Sequence, residues 1–325
     1  MKRLILFTLI VILSLSLLTA CGQSAAPATP EERVTPRVGA LTGPTAMGML
    51  KLISDESSDY DCTLFGSADE LPSRILNDEL DIAAVPMNLA ALFYNQTEGG
   101  VQLLAVNVLG VLYIGEYNSD ELDSIAALRG KTLYATGKGA APEYFLRYVL
   151  AENGIDMDSE LNVEWKSEPA ELVALLNAKQ SGIVMLPQPY ASAAEMQLGE
   201  GFHTALSLSD EWAALDNGSL CTTAGIIVRT EFAEAHPEAV ESFLRDYRDS
   251  AEWVHANTDE AAVLCEELGI VKAAVAKIAL PKCNIVCITG SEMKSAAGGC
   301  LKVLYDCAPS SVGGALPGDD FYYGA

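Results

Sequence analysis

Two short stretches carry residue types suited to holding a small polar molecule. Thr42-Gly43-Pro44-Thr45 stands at the start of a helical pattern, where free N–H groups and the helix dipole favour an anion or a carbonyl oxygen. Thr136-Gly137-Lys138-Gly139 is its counterpart: the glycines allow close backbone approach, and Lys138 can neutralise an acidic group. Asn88 and Gln188 occupy matching loops, and each offers amide donors and a carbonyl acceptor. Tyr190 can stack on a planar molecule. Thr222, beside Thr223, adds a hydroxyl further along the chain, and Ser167 reads as a helix cap. The same residues also fit capping, turn chemistry and, for Lys138, a solvated surface position, so their types alone leave binding and structural roles open.

Other chemistries find less support. Three histidines in the whole chain disfavour a His-built metal centre or a His-based triad. Gly130-Lys131-Thr132 has the form of a P-loop tail, but Ile125 stands where the first glycine is needed. Gly137-x-Gly139 lacks its third glycine, with Pro142 in that place, and neither His-Glu-x-x-His nor Gly-x-Ser-x-Gly occurs. Seven cysteines follow Cys21, an odd number, and Cys283, Cys287, Cys300 and Cys307 have no standard zinc or iron–sulfur spacing. They read first as core or incidental thiols, with disulfides and metal or redox chemistry as the other readings. The acidic run from Asp55 to Asp61 reads as solvated surface rather than a calcium loop. A formal charge of −24 argues against nucleic acid, which needs a basic face.

The elements that would position these loops come in duplicate. A strand Val38–Leu41, then Thr42-Gly43, Pro44 and a helical pattern through Met47, Leu50 and Ile53, is matched by a strand Thr132–Ala135, then Thr136-Gly137, Pro142 and a helix through Phe145, Tyr148 and Val149. Leu76-Asn77, a strand Asp81–Val85 and Pro86-Met87-Asn88 are matched by Leu176-Asn177, a strand Gly182–Leu186 and Pro187-Gln188-Pro189, with one residue inserted. Each half therefore carries two βα units in the same order, which argues for two parallel-stranded α/β lobes. Ligands of such sheets sit beyond the carboxyl ends of the strands, where all four loops lie. The β-prone run Val101–Tyr113 can cross from one lobe to the other, and Ala224–Val228 can cross back. Amphipathic helices are expected over Phe232–Ala256, Glu260–Leu268, Ile270–Ala279 and Glu292–Tyr305, with a loop over Gly313–Ala325.

The N-terminus reads as a targeting segment. Lys2 and Arg3 precede an apolar or hydroxylic run from Leu4 to Leu18, too short for a membrane-spanning helix. It ends Leu18-Thr19-Ala20-Cys21, which resembles a bacterial lipobox and implies cleavage before Cys21 and a lipid on its sulfur. The stretch Gly22–Pro36, with Pro27, Pro30 and Pro36, has the composition of an extended tether. The division expected is a signal peptide over 1–20, a lipidated tether over 21–36, a discontinuous first lobe over 37–113 and 226–325, and a second lobe over 114–225. Cleavage would remove two positive charges and no acid, taking the formal charge to −26.

Leu128-Arg129-Gly130-Lys131-Thr132 leading into Thr136-Gly137-Lys138-Gly139 and Pro142-Glu143-Tyr144, with Arg229-Thr230-Glu231-Phe232 running to His236-Pro237-Glu238, resembles solute-binding proteins of ATP-driven importers. Within them it is similar to the sulfonate, nitrate, taurine and thiamine-precursor branch, over roughly residues 36 to 270. The resemblance implies a type II periplasmic-binding fold: two doubly wound α/β lobes, two crossing strands as hinge, and closure on a small ligand. It also implies delivery of that ligand to a membrane permease of the ABC type, with no cofactor, no metal and no catalysis, by a lipid-anchored monomer at the extracytoplasmic face of the membrane. Pyrimidine-synthase enzymes share the fold and resemble this chain less, since they need a cleft histidine and a cleft cysteine cluster; here no histidine falls near a cleft loop and the cysteines are C-terminal. A sensory ligand-binding lipoprotein is the other alternative.

Overall fold

The computed structural model describes residues 34–325 apart from 56–57 and 68–69. The expected signal segment 1–20, the expected lipidation at Cys21 and most of the expected tether lie outside the described residues. Residues 35–325 form one compact unit built on two sheets.

The first sheet contains β1 (Arg37–Leu41), β2 (Asp61–Phe65), β3 (Ile82–Pro86) and β4 (Val101–Leu109). The second contains β5 (Leu112–Tyr117), β6 (Thr132–Thr136), β7 (Asn162–Lys166), β8 (Gly182–Pro187) and β9 (Phe202–Ser207). The chain then returns to the first sheet with β10 (Thr222–Arg229) and β11 (Ile285–Ile288). The strand orders are β11-β4-β10-β3-β1-β2 and β7-β6-β8-β5-β9. Apart from β11, one order maps onto the other. β1 lies between parallel β2 and β3, as β6 lies between parallel β7 and β8. The next strand is antiparallel in both sheets and arrives from the other one: β10 beside β3, and β5 beside β8. The repeated sequence motifs thus occupy equivalent central positions.

Central strands read as apolar runs because both faces are covered. Ile82, Ala83, Ala84 and Val85 are all buried, as are Ile183, Val184, Met185 and Leu186. Met87, Phe93, Met293 and Leu301 are buried in the same apolar cluster as Leu103 and Val106 of the first sheet. On the second sheet, the fully buried Trp212 meets Phe145 edge-on at 5.6 Å, and its indole N–H donates to Ser219 Oγ at 2.9 Å. Helices and strands thus form the mixed α/β architecture that the sequence implies.

Local differences have physical causes. The first helical pattern divides into Pro44–Met47 and Leu50–Ser54. Gly48 sits at that break, where a Cβ would come within 2.5 Å of the Tyr247 hydroxyl oxygen. The long helix expected from Phe232 is two, Thr230–Ala235 and Pro237–Ala256, because the ring of Pro237 disfavours helical geometry at His236. Ser167 does not cap the helix Pro169–Lys179: the capping position is Glu168, with no side-chain bond. The C-terminal loop is packed down. Phe321 is fully buried edge-on to Tyr94, and the Tyr323 N–H donates to the Leu103 carbonyl at 3.0 Å. No helix among the described residues is long and apolar enough to cross a membrane.

Candidate functional site

The place where the two sheets exchange strands is built from a short run of chain. β4 ends at Leu109, and after Gly110 and Val111 the chain continues as β5 in the other sheet. Thr222, the first residue of β10, is registered with Leu109. Gln188, just past β8, donates its N–H to the Val111 carbonyl at 2.9 Å. The turn Leu280–Lys282 and the residues after it wedge against the same run. Asn284 Nδ2 donates to the Gly110 carbonyl at 2.6 Å, and the Tyr113 hydroxyl donates to the Lys282 carbonyl at 2.7 Å. Lys282 Nζ then reaches both carboxylate oxygens of Glu195, at 2.6 and 2.8 Å, on the helix Tyr190–Leu198 that follows β8. This pair ties the C-terminal part of the chain to the second sheet at the crossing.

Three residues near this crossing carry buried side-chain atoms for which no partner is recorded. Asn107, fully buried on β4, donates Nδ2 to the Thr45 carbonyl at 3.1 Å, while its Oδ1 has no partner. Gln188, 3% exposed, accepts at Oε1 from the Ser192 hydroxyl at 2.9 Å, while its Nε2 has no partner. Thr222 is fully buried, and its Oγ1 has no partner. A buried polar atom left unpaired costs on the order of 1–3 kcal/mol, which makes Asn107, Gln188 and Thr222 the polar residues of note near the crossing.

The sequence-derived residues divide around this place. Thr45, Gln188 and Thr222 belong to it, through the contacts just given. Thr42 is used internally: its hydroxyl and its N–H both reach the Phe65 carbonyl, at 3.0 and 2.9 Å. Gly43, with φ 124°, and Pro44 open a helix of a single turn, whose dipole is correspondingly small. Asn88 faces away, toward the C-terminal turn, with Nδ2 3.5 Å from the Ser311 carbonyl. Thr136 is buried at the end of β6. Gly137 has φ 87°, and a Cβ there would come within 2.6 Å of Pro142 Cγ, so glycine is required twice over. Lys138 and Gly139 are exposed, and Glu143 already accepts the Gly139 N–H at 2.7 Å. That carboxylate occupies the donor an incoming anion would use. Tyr190 is 42% exposed at the start of its helix.

Asn107 is the residue sequence reading misses. Its signal is an amide in the interior of the strand run Val101–Leu109, whose other residues are apolar apart from Gln102 near its start.

Other chemistries look structural. Glu116, Asp120 and His203 are the one group among the described residues with metal-like spacing. The oxygens of fully buried Glu116 already accept from Ser119 Oγ and from the N–H groups of Glu121 and Leu122, which makes this carboxylate a loop anchor. Cys221, Cys265, Cys283 and Cys300 are buried thiols. Burial raises the Cys300 thiol to about 11 and that of Cys283 to about 12, so both are poor nucleophiles at neutral pH.

The match to the NMT1-like family model covers residues 55–269, more than half of the chain. The chain belongs to the NMT1-like family. No curated protein matches it in sequence. An ABC transporter structure from Parabacteroides distasonis is similar, with TM-score 0.74 and 21% identity over 89% of this chain and 98% of the other. The periplasmic aliphatic sulphonate binding protein SsuA from Escherichia coli is similar at TM-score 0.67 and 15% identity, over 88% and 91%. The ligand binding component of an ABC-type import system from Staphylococcus aureus follows at 0.61 and 14%, over 90% and 99%. At such identities the likeness establishes the fold, that of the periplasmic binding proteins, whose sheets are open and lie on either side of a cleft.

Proposed function

We propose that this NMT1-like chain is an extracytoplasmic solute-binding protein, anchored by lipid on Cys21, that captures a small solute between two lobes and delivers it to an ABC permease. In this reading the lobes comprise 37–113 with 226–325, and 114–225. The observation that carries it is the pair of equivalent sheets exchanging one strand each. A ligand that bonds both sides favours the closed arrangement by its differential affinity, and no covalent step is required. The fold neighbours are named as an ABC transporter, a periplasmic aliphatic sulphonate binding protein and the ligand binding component of an ABC-type import system, which supports transport; the buried, high-pKa thiols and the anchored Glu116 give an enzyme reading little to work with.

The solute classes that follow from the resemblance are sulfonates, nitrate and thiamine or pyrimidine precursors. A thermal-shift screen of the chain from residue 22 onward against those classes tests the binding role. At least one compound is expected to raise Tm and to contract the protein in small-angle scattering. No rise and no contraction, with these compounds and with the small-molecule fraction of growth medium, would remove the receptor reading. Anchoring has its own test: Cys21→Ser is expected to move the expressed protein from the membrane fraction to the soluble one, and unchanged fractionation would contradict it.

A further inference from the structure

Glu116 and His203 are set against each other by the second sheet. They stand directly opposite in the antiparallel pairing of β5 with β9, so both side chains leave the same face. After Tyr117 the chain turns at Asn118, with φ 49°, and the turn is pinned twice: the Asn118 N–H donates to the Gly201 carbonyl at 2.8 Å and its Nδ2 to the Gln180 carbonyl at 2.7 Å. The loop then closes round the Glu116 carboxylate, which accepts from Ser119 Oγ and from the N–H groups of Glu121 and Leu122. That wrapping brings Asp120, with a fully exposed side chain, over the pair. His203 Nε2 lies 3.8 Å from Glu116 Oε2 and 3.8 Å from Asp120 Oδ1, and the three ligand atoms lie within 4.8 Å of one another.

The three groups do not satisfy one another, because contacts of 3.8 Å are too long for hydrogen bonds. Glu116 is fully buried and both its oxygens accept, yet among the described residues no Lys or Arg pairs with it. A buried carboxylate without a countercharge is costly. Its three donors, one of them shared between both oxygens, leave open about one of the roughly four lone-pair sites of a carboxylate. On the other side of the group, Asp120 and the half-exposed His203 stand open to water, so an ion can enter and keep a water ligand.

Zinc holds an imidazole nitrogen at about 2.0–2.1 Å and a carboxylate oxygen at about 2.0–2.2 Å, so its tetrahedral ligand atoms stand about 3.4 Å apart. The two contacts of His203 need to close by only about 0.4 Å, through side chains that are exposed, onto a Glu116 that the loop already orients. The imidazole in the set selects zinc over calcium or magnesium, which take about six or more oxygens. We propose that Glu116, Asp120 and His203 form a zinc site, with water in the fourth position, that clips the edge strand β9 to the loop 118–122. The site lies at the end of β5 away from the crossing, where Leu112 is registered with Pro187, so it stands independently of solute capture and of the receptor reading.

The test is calorimetric titration of zinc chloride into the solute-free chain from residue 22 onward, beside magnesium and calcium chloride. One zinc per chain is expected, with a saturable rise in Tm that a chelator reverses and that magnesium and calcium do not produce. His203→Gln and Asp120→Asn change exposed side chains, so each is expected to leave the metal-free Tm level. Each is also expected to weaken zinc binding by about tenfold or more, since loss of an outer-shell partner alone costs that much. No zinc binding at millimolar concentration, an equal response to magnesium or calcium, or affinity unchanged in either variant overturns the site.

Discussion

At the residue scale, much of the polar chemistry of this protein is spent on holding loops. Gly137 is the sharpest local requirement. Gly137→Ala forces a side chain into a positive-φ position against Pro142 and is expected to destabilise by about 2 kcal/mol, read as a lower midpoint in urea. Asp81 supplies the pH dependence. It is 5% exposed and accepts from the Arg37 N–H at 2.9 Å, Arg37 Nε at 2.8 Å, Arg37 Nη2 at 2.6 Å and Arg229 Nη2 at 3.2 Å. Burial pushes its carboxyl up, but those donors outweigh burial and hold it below the usual carboxylate range. A depressed carboxylate stabilises the fold above the unfolded-state pKa, about 3.9, and that contribution disappears as pH falls through the folded-state value. Asp81→Asn is therefore expected to lower Tm at pH 7, with a gap to wild type that closes as pH falls below the unfolded-state value of about 3.9 and through the depressed folded-state one. A gap independent of pH would contradict the ion-pair account. Sequence reading reaches Gln188 and Thr222 through strand-end position, but Asn107 is hidden inside a run that reads as core. Whether an amide in such a run is paired depends on what crosses over it, and the crossing neighbour, Thr45, lies 62 residues away.

At the element scale, strands with a strong apolar pattern are legible and marginal ones are not. β3 and β8 stand out because both faces are covered. β2 is half-exposed and alternates weakly, and β11 is a four-residue edge strand whose pairing with β4 is irregular, so neither is apparent before the sheet is seen. The helix Tyr190–Leu198 is legible by position, but its tie to Lys282 is not, since the two are 87 residues apart. That tie makes a prediction of its own. Glu195 and Lys282 are partly shielded from water, with side chains 20% and 31% exposed, and they join elements that separate if the lobes open. Lys282→Met is expected to shift the ligand-free protein toward open forms, weakening solute binding about fivefold, an effect of about 1 kcal/mol. Scattering and calorimetry check it. Tighter binding in the variant would show that the pair holds the lobes apart instead.

At the scale of the whole molecule, the internal duplication visible in the Thr-Gly…Pro and Leu-Asn…Pro motifs becomes two sheets with equivalent strand orders, each completed by a strand from the other's side. Exchange of strands explains how one compact body can contain a joint: only short stretches of backbone need to flex for two packed halves to rotate as units. The charge of −24 disfavours long-range attraction of anions, so capture of one would rest on local donors. The measurement that tests this account most directly is the radius of gyration of the purified protein from residue 22 onward, by small-angle scattering, titrated with whichever compound raises its Tm. The account requires a saturable decrease that tracks occupancy. Saturated binding at constant radius would contradict it.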